Sequence, residues 1–203
     1  MPGNEWSLRH HREEYVSDFG IVGFRGPKRP ESCVYWNHMP AAWIRDKVGN
    51  EVWEKYFKFC VIRNPYEKAI SAFYFRRAKN ASVLMVPPSH DMKIADLDSD
   101  RIEFEKYLLR GPLPIDRDKY IIDGKFCLND IIRYERLATD IERVCVRIGI
   151  PWDSSLLPSF KVGTRPKNAS LDNIYTDKSR KIVESAFSFE LKYFNYSFPI
   201  GNS

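Results

Sequence analysis

Long apolar runs are missing from this sequence. Nowhere do the roughly 18 consecutive apolar residues needed to span a bilayer occur, and apolar runs such as Phe57 to Ile62 are broken by charged residues, there Lys58. No transmembrane segment is therefore expected. Cysteine is scarce and scattered: Cys33, Cys60, Cys127 and Cys145 include no CxxC pair. They read as buried, reduced thiols, and no metal site is expected. The absence of any GxxxxGK[ST] stretch disfavours a P-loop kinase. No run of Lys and Arg interleaved with stacking aromatics occurs, so no nucleic-acid partner is expected. The first fifteen residues are polar and charged, unlike a signal or transit peptide.

What is present is an ordinary globular composition. With 43% hydrophobic and 29% charged residues in 203, the chain can bury enough apolar surface to offset the entropy of ordering one domain, residues 1–203. The formal charge of +5 is uneven: residues 1–80 carry +5, residues 81–135 carry −3 and residues 136–203 carry +3. Two basic ends around an acidic middle suit an anionic ligand held by the first and last thirds.

Residues 1–33 form a polar lead punctuated by Gly and Pro. A helical period begins at Pro40, with Ala41, Ile44 and Val48 on one face. Lys58 to Arg63 reads as a buried strand. Directly after it, Asn64 is a good N-cap, Pro65 suits the first helical position, and Glu67 stands where its carboxylate can return a bond to the cap. Strand, tight turn and helix is the expectation, with ligands expected at the carboxyl end of the strand. Residues 78–100 read as an irregular excursion and residues 101–110 as a short helix. Tyr120 to Ile122 and Phe126 to Tyr134 read as strands, Glu135 to Ile148 as a helix, and Asp177 to Phe194 as the last helix. A basic loop with Lys161, Arg165 and Lys167 precedes that last helix. Strands alternating with helices predict an α/β fold with a mostly parallel sheet.

Arg63 and Ser71 stand out as candidate ligand groups. A guanidinium offers a planar, permanently charged fork and a hydroxyl adds a neutral donor, so the pair can grip one phosphate from two sides. Taken as bare residues, they read first as a guanidinium paired with a local carboxylate and a packed serine. His38 is a candidate base, since a neutral imidazole near pH 7 can accept a hydroxyl proton, although a lone histidine beside Trp36 and Met39 reads first as structural.

The order Asn37-His38-Met-Pro-Ala, Trp53 to Tyr66, Ile131-Ile-Arg-Tyr-Glu-Arg-Leu137, Gly149-Ile-Pro151 and Phe194-Asn-Tyr196 resembles the sulfotransferase superfamily. The likeness is to carbohydrate O-sulfotransferases of the heparan-sulfate 2-O type and their bacterial relatives, over residues 34–198. It implies a three-layer, P-loop-like α/β fold and 3′-phosphoadenosine 5′-phosphosulfate (PAPS) as sulfuryl donor to a carbohydrate or other hydroxylated acceptor. It further implies that Arg63 and Ser71 hold the donor's 3′-phosphate, with Arg165 and Lys167 as further candidates for that end, and that His38 is the base. The family's Lys-bearing, Gly/Ser/Thr-rich loop for the 5′-phosphosulfate has no counterpart here. Arg25 to Ser32, with Lys28, imitates it poorly because its prolines remove backbone donors. The expectation is a chain without its first strand, loop and helix and with impaired transfer. The alternative is a non-catalytic anion- or glycan-binding protein of the same fold. The resemblance places the chain in the cytoplasm for a bacterial source, and in the Golgi lumen for a eukaryotic one with its anchor lost.

Overall fold

The structure is a computed structural model, described here for residues 11–17, 20–83, 94–157 and 164–199, with the side chains of residues 79–83 and of Leu156 left aside. In chain order the elements are β1 (Tyr15–Ser17), β2 (Gly20–Val22), α1 (Ala41–Val48), α2 (Asn50–Lys55), β3 (Phe59–Ile62), α3 (Pro65–Val83), α4 (Leu97–Arg110), β4 (Ile121–Ile122), β5 (Lys125–Phe126), β6 (Asp130–Arg133), α5 (Leu137–Ile148), α6 (Leu171–Ile174), α7 (Asp177–Ala186) and α8 (Ser188–Tyr193). The fold is mixed α/β. Its described strands form three two-stranded sheets: β1 with β2 and β4 with β5 are antiparallel, and β3 with β6 is parallel. A mostly parallel central sheet is thus reduced, among the described residues, to one parallel pair. No described helix is long and apolar enough to cross a membrane.

The chain divides into two compact units. The first comprises Met1–Cys60 and Asp116–Asp130, the second Val61–Ile115 and Ile131–Ser203. In the first unit, the β1–β2 hairpin is extended by reciprocal backbone bonds of 2.8 Å between Arg12 and Arg25. Phe24 then bridges to Trp36. Gly23 is required there, because a Cβ would stand 2.9 Å from the Trp36 backbone nitrogen. The small core joins Ala41, Trp53 and Ile122, with Ile44 and Val48 packed against them, as the period from Pro40 predicts. Asp123 and Gly124, at φ 51° and 74°, turn β4 into β5. Two successive positive φ values define the type I′ hairpin that an Asp-Gly pair favours, a signal the sequence reading passed over when it expected longer strands.

The second unit is built on α3. Tyr66, Ala69, Ile70, Phe73 and Tyr74 are all buried, the i, i+3, i+4, i+7, i+8 stripe of an amphipathic helix. They pack with Phe104 and Leu108 of α4, Leu171 and Ile174 of α6, Tyr175, and Val183 of α7. Edge-to-face ring contacts run through this core, Phe104 meeting Phe73 at 5.4 Å and Tyr175 at 4.9 Å between centroids. α4 starts at Leu97, four residues earlier than expected, because Asp96 caps it by accepting from the Ser99 N–H at 3.3 Å. The last expected helix is two: α7, held at its start by a reciprocal Thr176–Ser179 capping box, and α8. The four cysteines are free and half-buried rather than fully buried. Burial, with the Glu14 carboxylate, pushes the Cys33 thiol up.

Candidate functional site

The turn from β3 into α3 lies wholly in the second unit from Val61 onward. Asn64 is the N-cap: its carbonyl accepts from the Lys68 N–H at 2.8 Å and its Oδ1 from the Tyr66 N–H at 3.0 Å. The expected return bond from Glu67 to the cap is absent. The Asn64 N–H donates to Glu135 Oε1 at 2.6 Å instead. Glu67 is thereby released for another task. Its Oε2 accepts from Arg63 Nη2 at 3.3 Å and from Arg165 Nη1 at 2.9 Å.

Two guanidiniums separated by about a hundred positions therefore meet on one carboxylate oxygen. The side chains of Arg63, Arg165 and Glu67 are 26%, 34% and 25% exposed, so the cluster is shielded yet open to a solute. Two cations against one anion leave a positive charge uncompensated. Ser71 stands one turn beyond Glu67 and so shares its helix face. It is half-buried, and among the described residues its hydroxyl has no partner. Arg63 and Arg165 thus meet on Glu67, and Ser71 lies on the same helix face by its spacing. Lys167 is exposed, two residues past Arg165 in the same loop. Lys161 lies outside the described residues.

Behind this face the groups are neutral or internally paired. Tyr74 donates to Asp100 Oδ2 at 2.7 Å, and Arg77 binds the other oxygen of that buried carboxylate. Burial pushes the Tyr74 hydroxyl well above the ordinary tyrosine range, and the bond to Asp100 adds to it, while Arg165 acts the other way. Burial likewise raises Tyr175, with the charge of Glu67 adding to it, and its hydroxyl donates to the Tyr66 carbonyl at 2.9 Å. Both remain protonated donors at neutral pH.

His38 belongs to the first unit. It is exposed in the turn before α1, at φ 63°, the left-handed region that a histidine adopts at a cost. Among the described residues its ring has no hydrogen-bond partner. Lys28 is exposed in a bend, and no helix follows it until Ala41. Farther along, Glu14 accepts from the N–H groups of Val34 and Tyr35 at 2.8 and 2.9 Å. No group of three or more His, Cys, Asp or Glu side chains placed to hold a metal occurs among the described residues.

Sequence reasoning missed Glu67 as the meeting point of two arginines, and Tyr134 and Glu135 as neighbours of Arg63-Asn64. A signal existed for the latter: parallel neighbours β3 and β6 end at the same edge, so the pairs that follow them must meet.

No protein-family model matches the chain, and no solved structure matches it. An uncharacterized protein of the archaeon Archaeoglobus fulgidus is 31% identical over 115 residues, covering 56% of this chain and 84% of the archaeal one. The chain belongs to the same family as that archaeal protein.

Proposed function

We propose that the chain is a sulfotransferase homologue whose second unit binds the 3′-phosphate end of PAPS, the acceptor being a hydroxyl of a carbohydrate-type molecule. The meeting of Arg63 and Arg165 on Glu67, with Ser71 on the same helix face, is the observation that carries this reading. An arriving phosphate takes over the guanidinium edges that Glu67 occupies and gains the Ser71 hydroxyl as a neutral donor; exposed Lys167 adds charge. A three-layer, P-loop-like arrangement is part of the same proposal. In the transfer step His38 takes the proton of the acceptor hydroxyl as that oxygen bonds to sulfur. The bond from sulfur to the bridging phosphate oxygen breaks, and adenosine 3′,5′-bisphosphate leaves.

A second reading, a non-catalytic anion-binding protein, draws on the Arg25–Ser32 stretch, where Pro27 and Pro30 lack the backbone N–H groups that a phosphosulfate cradle needs. Calorimetry separates the outcomes. Adenosine 3′,5′-bisphosphate is expected to bind and adenosine 5′-phosphate to bind at least tenfold more weakly, on the order of a lost charge-assisted contact. Equal affinities would reject the 3′-phosphate reading. Turnover of PAPS abolished by His38→Ala with donor binding retained supports the enzyme; donor binding with no turnover supports the second reading.

A further inference from the structure

The phosphate-binding reading leaves open what aims the Arg63 guanidinium. β3 and β6 are parallel and adjacent, so Arg63-Asn64, leaving one strand, and Tyr134-Glu135, leaving the other, emerge at one edge. The Arg63 guanidinium lies over the Tyr134 ring, 4.5 Å from its centre. Glu135 grips the next residue: Oε1 accepts from the Asn64 N–H at 2.6 Å while Oε2 accepts from the Tyr196 hydroxyl at 3.0 Å. Asn64 is tied twice more, its Nδ2 donating to the Ser197 carbonyl at 2.9 Å and its Oδ1 accepting from the Tyr66 N–H at 3.0 Å. The backbone immediately after Arg63 is thus held by the α3 start, the end of β6 and the C-terminal segment.

These contacts divide the guanidinium. An aromatic ring covers one face, and Glu67 holds one Nη2 proton. The remaining donors of a planar fork then point in a fixed direction.

We infer that Tyr134 and Glu135 are positioning residues of the Arg63 anion site: Tyr134 fixes the plane of the guanidinium, and Glu135 fixes the backbone from which it projects. The inference rests on the phosphate-binding reading for its purpose, but not for its geometry.

The test is titration of the full chain with adenosine 3′,5′-bisphosphate, alongside the Arg63 Nε–H resonance in ¹⁵N-labelled protein. Tyr134→Leu is expected to weaken binding roughly threefold, the scale of an exposed cation–π contact, and to move the Arg63 resonance out of the shielding region of the ring. Tyr134→Phe restores both, which separates the ring from the hydroxyl. Glu135→Gln keeps the side-chain shape, replaces a charged acceptor by a neutral one, and costs on the order of tenfold in affinity. Thermal melts of each variant identify any loss that comes from unfolding. A wild-type chain that ignores the bisphosphate overturns the phosphate reading alone, because the Arg63 resonance still reports its aim. An Arg63 resonance unmoved in both Tyr134→Leu and Glu135→Gln, or affinities unmoved while the wild type binds, overturns the positioning role.

Discussion

A single carboxylate oxygen of Glu67 serves two arginines, which makes it the internal competitor of any anion that approaches them. At an effective dielectric near 20, unit charges about 4 Å apart interact by about 4 kcal/mol, so a bound phosphate dianion and the Glu67 carboxylate oppose each other appreciably. Glu67→Gln keeps an oxygen that can accept from both guanidiniums and removes the charge. Its affinity for adenosine 3′,5′-bisphosphate is expected to rise by about tenfold, read by calorimetry at low salt; a fall would make the carboxylate an aligner rather than a competitor. His38 offers the opposite trade. A left-handed backbone costs a non-glycine residue about 1 kcal/mol, so His38→Gly is expected to raise the denaturant midpoint of the first unit. On the sulfotransferase reading it also ends turnover. Stability gained together with activity lost would mark a residue retained for its ring rather than its backbone.

Among elements, α3 shows most plainly what sequence can and cannot reveal. Its Asn64-Pro65 start follows from local rules and stands in the structure, whereas its buried stripe of Tyr66, Ala69, Ile70, Phe73 and Tyr74 is a finding of the structure. The role of Glu67 did not follow from local rules, because a carboxylate at the third helical position fits a capping box equally well. Only the approach of Arg165, far along the chain, and the claim of Glu135 on the Asn64 N–H decided against the box. The strands were legible as apolar runs but their partners were not: pairing is non-local, and the Asp123-Gly124 turn breaks what read as two longer strands into a two-residue hairpin and β6. Asn168, which opens an Asn-Ala-Ser stretch, is committed to the fold, its amide exchanging bonds of 2.8 and 3.0 Å with the Ala95 backbone. In α4, Phe104 is completely buried against Phe73 and Tyr175. Phe104→Ala is expected to cost about 3–5 kcal/mol of unfolding free energy, the range for a large buried aromatic, measured by urea denaturation.

For the molecule as a whole, the charge layout of two basic ends and an acidic middle was visible in the sequence. Its consequence was half visible. The first and last thirds do supply the Arg63 and Arg165 pair, yet the first third also carries Glu67, so a basic segment brings its own anion to the site. A second molecule-wide property comes from the tyrosines of the second unit. Burial pushes Tyr66 up to about 12, with its hydrogen bond to Glu184 adding to the effect; burial also raises Tyr74, Tyr175 and Tyr196 above the ordinary range. In the unfolded chain each releases its proton near pH 10. Above that pH the unfolded state binds fewer protons than the folded one, so stability falls as pH rises. The contribution of Tyr66 is complete below about pH 10 and lost as pH climbs through about 12. Urea midpoints measured from pH 8 to 11.5 should therefore decline steadily above 10, and absorbance at 295 nm should show tyrosines that ionise only as the chain unfolds. Tyr66→Phe removes one of these linked protons and should make the decline shallower at equal starting stability. A midpoint flat to pH 11.5 in the wild type would mean that these hydroxyls are solvated and that the aromatic core of the second unit is looser than its packing indicates.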